Sequence, residues 1–252
     1  MTTLYRKKIQ CSLCKVTSEF TGIGSTNTFF GSEDLDTRPP EMMRSTMHTW
    51  VRRCPHCGYC APDISLSVPE TESIVKSKEY TDQLKDFEYP ELANSFLCEA
   101  MICAATGDYK AASWALIHAA WDCDDADRPA RARLCRLKAA DMLMLAQERG
   151  QQLVVQDGGR TAILIDLLRR SGQLEQARQV IAARQGNISD EMILQVIDFQ
   201  ARLLDRNDVS CHTLEEAIGS KSVHVISTEG RKPISEHKGV FRIFSRKPPS
   251  KR

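Results

Sequence analysis

Apolar residues recur with a helical period from Pro90 onwards. In the first such stretch they fall at i, i+4 and i+7, and the period resumes after a break at Gly107-Asp108-Tyr109. The apolar positions are Phe96, Ala100, Cys103, Ala112, Leu116 and Ala119. Two amphipathic helices joined by a short glycine turn form a hairpin, so this stretch predicts a helix–turn–helix unit.

A second hairpin is predicted further along the chain. Residues Arg160 to Arg170 read as a helix, Ser171-Gly172-Gln173 as a turn, and a new helix begins at Leu174. Gly172 follows Gly107 by 65 residues, close to two repeats of about 34 residues. Both turns resemble those of tetratricopeptide repeats, with a large residue two positions after the glycine and an alanine three further on. We therefore predict an all-α, tetratricopeptide-like domain over residues 91–206.

Two more helices complete that predicted domain. One opens at Arg128-Pro129, with Asp127 as a plausible N-cap, and runs to Gly150. Its apolar stripe consists of Leu134, Leu137, Met144 and Leu145. The other is capped by Ser189 or Asn187, and its apolar positions are Met192, Val196, Phe199 and Leu203. Such a helix typically closes the end of a repeat stack.

The N-terminal part has a different pattern. Tyr5 to Gln10 and Met47 to Arg53 read as short strands that each run into a Cys-x-x-Cys motif. Between them, Gly24 to Met43 is rich in Gly, Ser, Thr, Asp and Pro and predicts a long inserted loop. We therefore predict a small β zinc-ribbon domain over residues 1–64. A linker over residues 65–90 and a C-terminal segment over residues 207–252 complete the domain scheme.

The two Cys-x-x-Cys pairs predict a metal site. Cys11, Cys14, Cys54 and Cys57 supply four thiolates, and Zn²⁺ prefers four soft ligands in a tetrahedron. A two-residue gap forms a tight turn that directs both sulfurs to one point. Gly58 follows the second pair, where the turn needs a positive φ. Four protein ligands leave no open position, so the predicted zinc is structural.

Neighbouring residues leave alternatives open. His56 lies between two of the cysteines and is interpreted as a bystander, whereas Cys60 either replaces another cysteine or is a free thiol beside the site. A thioredoxin-like redox Cys-x-x-Cys belongs at a strand-to-helix junction within a βαβ pattern, and the sequence shows no such pattern. Trp114 and Trp121, seven residues apart, share a helix face that lies in the core or lines a groove.

Charge and composition add little about partners. The formal net charge is +1, but nine basic residues against two acidic ones give residues 221–252 a local charge of +7. We expect residues 219–252 to be disordered. The chain shows neither the apolar core of a signal peptide nor the apolar run of about 18 residues that spans a bilayer. We therefore expect a cytoplasmic protein with reduced thiols.

The order of these parts is similar to a known bacterial family. A Cys-x-x-C motif, a long insertion, the sequence Cys54-Pro-His-Cys57-Gly-Tyr59 and tetratricopeptide-like helices resemble the family called domain of unknown function 2225. The resemblance covers roughly residues 5 to 206. It implies a zinc ribbon joined to a small repeat domain, and it implies no activity.

No catalytic constellation stands out, so we expect a protein that is not an enzyme. The leading hypothesis is a zinc-binding adaptor that binds a protein or peptide on its helical surface. One alternative is nucleic-acid binding through Lys15, Arg44, Arg52 and Arg53 with the basic tail. Another is a thiol or zinc redox sensor that uses Cys60. The sequence leaves the oligomeric state open.

Overall fold

The computed structural model describes residues 2–27, 31–154, 158–183 and 188–219. These residues form two compact units, and each unit is discontinuous along the chain. The first consists of residues 1–30 and 39–151, and the second of residues 31–38 and 152–252. The boundary at residue 151 falls inside the stretch 91–206, whose status as a single domain stays a prediction.

The first unit begins with a β-hairpin. Strand β1 (Thr3–Gln10) pairs antiparallel with β2 (Thr17–Ser25), and the two strands meet at the first cysteine pair. Strand β2 lies partly in the predicted inserted loop. Helix α1 (Glu41–Arg44) comes next.

The stretch before the second cysteine pair corrects a prediction. Met47 to Arg53 was predicted as one strand, but Met47–Thr49 forms a 3₁₀ turn and only Arg52–Arg53 is extended as β3. Thr46 explains the turn, because its hydroxyl accepts a hydrogen bond from the Trp50 indole and the local side-chain bonds favour a turn over a strand. Strand β4 (Cys60–Ala61) pairs antiparallel with β3 on the far side of the cysteine turn.

Five helices complete the first unit. Residues 65–90, predicted as a linker, contain two short ones, and three long helices follow. Their bounds are α2 (Thr71–Val75), α3 (Lys78–Leu84), α4 (Glu91–Ala105), α5 (Tyr109–Asp125) and α6 (Pro129–Glu148). The break between α4 and α5 lies at Gly107, whose φ of 81° suits only glycine without strain, and Asp108 caps α5 through the Ala111 amide. The prediction of a helical hairpin here is confirmed.

Helix α6 does not bury the apolar stripe that its sequence shows. The stripe of Leu134, Leu137, Met144 and Leu145 is exposed or half-buried. The buried positions of α6 are Ala132, Cys135, Arg136, Ala139, Ala140, Leu143 and Ala146. Most of these side chains are small, which allows the backbones of α5 and α6 to approach closely. The large apolar residues therefore remain on the outward face.

An aromatic cluster fills the core of the first unit. His118 of α5 lies among four rings, with centroid distances of 5.0 Å to Trp50, 5.2 Å to Phe96 and 5.0 Å to Trp121. Trp114 stacks on the same imidazole at 6.0 Å. Trp121 is fully buried, so it belongs to the core, while Trp114 is half-buried. All three tryptophans of the chain lie in this cluster, which makes their fluorescence a probe of the first unit alone.

The second unit is helical. Its helices are α7 (Gly159–Ser171), α8 (Leu174–Ala183), α9 (Glu191–Asp205) and α10 (Leu214–Ile218). The turn at Gly172 has a φ of 88°, as the second predicted hairpin requires. The N-cap of α9 is Asp190, whose carboxylate accepts from the amides of Met192 and Ile193, and not Ser189 or Asn187.

A segment from the N-terminal half belongs to the second unit. Residues 31–38, part of the inserted loop between the cysteine pairs, pack beside α10. The Leu35 amide donates to the His212 carbonyl at 2.9 Å, and the Leu214 amide donates to the Glu33 carbonyl at 2.8 Å. The chain therefore leaves the first unit after one cysteine pair and returns to it before the other.

Two further expectations meet the structure only in part. The tail of residues 219–252 was expected to be disordered, and all of it except Gly219 lies outside the described residues. Among the helices that the structure describes, none has both the length and the apolar character needed to cross a bilayer.

Candidate metal centre

Four sulfur atoms converge at one point of the first unit. The Sγ atoms of Cys11, Cys14, Cys54 and Cys57 all lie within 4.8 Å of one another. The sulfurs of Cys11 and Cys57 are 3.6 Å apart, and those of Cys14 and Cys54 are also 3.6 Å apart. The structure thus brings together the four cysteines that sequence spacing indicated.

The sulfur spacing suits a tetrahedral metal ion. Zinc–sulfur bonds of about 2.3 Å in a regular tetrahedron place the sulfurs roughly 3.8 Å apart. A disulfide needs a sulfur separation of about 2.05 Å, so neither close pair is a disulfide. The four thiols could therefore hold a metal ion with little change in their positions.

Each cysteine pair lies in a turn with the same backbone hydrogen bonds. In the first turn the Lys15 amide donates to the Cys11 carbonyl at 3.0 Å, and in the second the Gly58 amide donates to the Cys54 carbonyl at 2.9 Å. The residue after the second cysteine has a positive φ in both, 61° at Lys15 and 75° at Gly58. The first turn therefore has the same backbone conformation as the second, although it has Lys15 where the second has Gly58.

The second turn is fixed to the helices of the same unit. The Tyr80 hydroxyl of α3 donates to the Gly58 carbonyl at 3.0 Å and accepts from the Cys60 amide at 3.0 Å. Leu84 lies against the Cα of Gly58, since a Cβ built there would be 2.5 Å from its Cδ2. Through these contacts, α3, which lies within residues 65–90, packs directly against the second cysteine turn.

The Cys60 thiol and the His56 imidazole do not belong to the cluster of four sulfur atoms. Cys60 is fully buried, and its thiol donates to the Gly58 carbonyl at 3.3 Å. A hydrogen bond with Cys98 of α4 lowers the pKa of Cys60. His56 is exposed at the tip of the second turn and is not a member of the sulfur cluster. Cys60 therefore packs the turn against α4.

Burial affects how this centre takes up a cation. Burial is the main cause that raises the pKa of the Cys54 and Cys57 thiols, whereas a backbone hydrogen bond from Val16 lowers the pKa of Cys14. Thiols with raised pKa values stay protonated near neutral pH until a metal ion displaces the protons. Metal uptake at this centre should therefore release protons and strengthen as the pH rises.

The two positive-φ positions lead to a matched pair of predictions. Replacing Gly58 by alanine puts a Cβ at a left-handed φ and against Leu84, so we expect a loss of about 1–2 kcal/mol in the free energy of unfolding. Replacing Lys15 by glycine relieves the same backbone strain and should stabilise the protein by up to about 1 kcal/mol. Urea denaturation followed by tryptophan fluorescence measures both. Equal effects of the two substitutions would contradict the assignment of strain.

Comparisons with family models, with curated proteins and with solved structures give no match to this chain.

Proposed function

We propose that the chain is a non-enzymatic zinc protein that acts as an adaptor and binds a protein or peptide partner on its helical surface. The convergence of four cysteine sulfurs at zinc-compatible distances supports the zinc assignment. Zinc bound by four thiolates has no vacant position, so its role is to hold the cysteine turns together. The proposal of a redox sensor gains no support, because Cys60 is fully buried.

The outward face of α6 supports the adaptor role. Leu134 is 41% exposed and Met144 is 38% exposed, and the half-buried Leu137 and Leu145 lie on the same side of the helix. Apolar residues at this spacing form a stripe that an amphipathic segment can cover. We infer that this stripe, the α6 stripe, contacts the partner. The inference also fits tetratricopeptide-like hairpins and the resemblance to domain of unknown function 2225, which both stay proposals.

Site-specific photocrosslinking tests the adaptor role. We expect a crosslinker placed at Leu134 or Met144 to give a discrete product of added mass in cells that make the protein. A crosslinker at Glu79, an exposed polar position of α3 outside the α6 stripe, serves as the control and should give none. If the α6 stripe gives no product, or no more than Glu79 gives, the helical surface is not the partner site.

A substitution in the same stripe distinguishes binding from folding. Because Leu134 is exposed, Leu134→Glu should change the free energy of unfolding by less than about 0.5 kcal/mol. It should nevertheless abolish the product formed by a crosslinker at Met144. Denaturation curves and the crosslinking yield, measured on the same variant, check the two parts. A product that persists in the Leu134→Glu variant would contradict the proposal.

A further inference from the structure

A basic groove runs along β1 and the first cysteine turn. Its volume is about 390 Å³, and its lining includes Lys7, Lys8 and Lys15. The only carboxylate among its lining residues is Asp63, which accepts from the Ser65 amide at 3.0 Å and from the Ser65 hydroxyl at 2.7 Å. This carboxylate is therefore already engaged, and the three ammonium groups dominate the charge of the groove.

A buried arginine adds to that charge. Arg52 of β3 is 5% exposed, and among the described residues its Nε has no hydrogen-bond partner. It acts electrostatically on both Lys7 and Asp63. Among the residues that line the groove, three lysines and one carboxylate give a charge of +2. Buried arginines are usually paired with an anion, and Asp63 is a carboxylate that interacts with Arg52, so the lysines are left to bind an external anion.

Two neutral groups extend the groove towards a ligand. The Ser12 hydroxyl lines it and is buried without a hydrogen-bond partner among the described residues. The Tyr5 ring lies across Gly22 of β2, where a built Cβ would be 2.6 Å from its Cζ, yet Tyr5 remains 50% exposed. Tyr5 and Lys7 are two residues apart on β1, so their side chains lie on the same face of the strand. A fixed, half-open aromatic ring thus lies next to the cations.

We propose that this groove binds single-stranded nucleic acid, with the three lysines contacting backbone phosphates and the Tyr5 ring stacking on a base. Cations that follow a backbone, combined with an aromatic platform, are the features by which proteins bind single strands without reading their sequence. An acidic peptide would use the cations and leave the aromatic ring without a role, so the groove favours the nucleic acid. This inference is independent of the α6 stripe.

The three lysines could instead offset the negative charge of the metal centre, and this explanation predicts a different experimental result. Zinc with four thiolates carries a charge of −2, and Cys11 lines the groove. Lysines that only offset this charge would support metal retention, and their removal would lower the zinc content. Lysines that bind phosphate would leave the zinc content unchanged and alter the affinity for the nucleic acid.

The test measures binding of a fluorescent twelve-residue oligothymidylate to the full chain over a range of salt concentrations. The groove variant combines Lys7→Ala, Lys8→Ala and Lys15→Gly, the last chosen for its positive φ. Loss of three phosphate contacts should lower the magnitude of the slope of log K against log salt by about 2. The control variant removes three exposed lysines of the same unit, through Lys76→Ala, Lys78→Ala and Lys85→Ala, and should leave the slope unchanged. Both variants keep the basic tail, so the tail cannot explain a difference between them.

Tyr5 gives a second measurement that does not depend on charge. Tyr5→Ala should weaken binding about tenfold or more, and Tyr5→Phe should preserve it. Equal slopes for the groove and control variants, or a groove variant that changes zinc content and not binding, would overturn the proposal. Polyglutamate that binds as tightly as the oligonucleotide, with the same dependence on the three lysines, would also overturn it and identify an acidic peptide as the ligand.

Discussion

Protein purified without added metal should contain one zinc ion per chain, and changing any one of the four converging cysteines to serine should remove it. Structural zinc in small modules contributes an apparent free energy of about 10–16 kcal/mol, which far exceeds any other single interaction in the first unit. Loss of the ion should therefore unfold the cysteine turns. Metal analysis of Cys54→Ser and Cys57→Ser by mass spectrometry measures the first effect.

Trp50 reports the second effect. It lies four residues before Cys54 and packs against His118. Unfolding of the second cysteine turn should remove this packing and change the tryptophan emission. Chelator added to the unmodified protein should give the same change, and added zinc should reverse it.

Cys60→Ser provides the matched control, because Cys60 is as buried as Cys54 and lies three residues after Cys57. It should keep the zinc and lose only packing free energy. A protein that lacks metal as purified, or a Cys60→Ser variant that loses it, would show that the four-sulfur assignment is wrong. Those outcomes would also be independent of any result on the α6 stripe.

The cysteine cluster was predictable from the sequence because its geometry is local. A two-residue gap closes a turn, and Gly58 meets the backbone requirement of that turn. Lys15 carries no such signal, yet it takes the same left-handed conformation because the sulfurs must converge. Two paired turns therefore form from unequal sequences.

The face of α6 was not predictable in the same way. Periodicity places large apolar residues on one side of a helix, but it does not show which side meets a neighbour. In α6 the alanine side is buried, because close approach to α5 brings more backbone and side-chain atoms into contact than a stripe of leucines would. The apolar stripe of α6 is therefore available on the surface.

The position of residues 31–38 in the second unit was also beyond sequence analysis. Gly, Ser, Asp and Pro residues predict a loop, and nothing in that composition shows where the loop packs. The contact depends on pairing between Asp36 and Arg170, which are 134 residues apart in the chain. Long-range ion pairs of this kind leave no periodic signal, so only the structure reveals them.

Asp36→Ala should lower the free energy of unfolding of the second unit by about 3 kcal/mol. The Asp36 carboxylate is fully buried and lies 3.0 Å from the Arg170 guanidinium, which is 6% exposed. Removing the carboxylate takes the shorter ion pair from the buried guanidinium and leaves the longer pair with Asp166, at 4.0 Å, so its charge is only partly compensated. Hydrogen exchange of the α7 amides measures the effect, because the second unit contains no tryptophan.

Two further variants distinguish the stability cost of a buried charge from that of losing an ion-pair contact. Glu175→Ala removes an ion pair of the second unit with Arg178 in which the carboxylate is 76% exposed, so it should change stability by less than about 0.5 kcal/mol. Asp36→Ala combined with Arg170→Met removes both charges and should be more stable than Asp36→Ala alone. If the double variant is the less stable of the two, the cost comes from lost packing and not from the charge of Arg170. If the prediction holds, the long insertion between the cysteine pairs has a physical reason, since it carries the aspartate that the second unit needs.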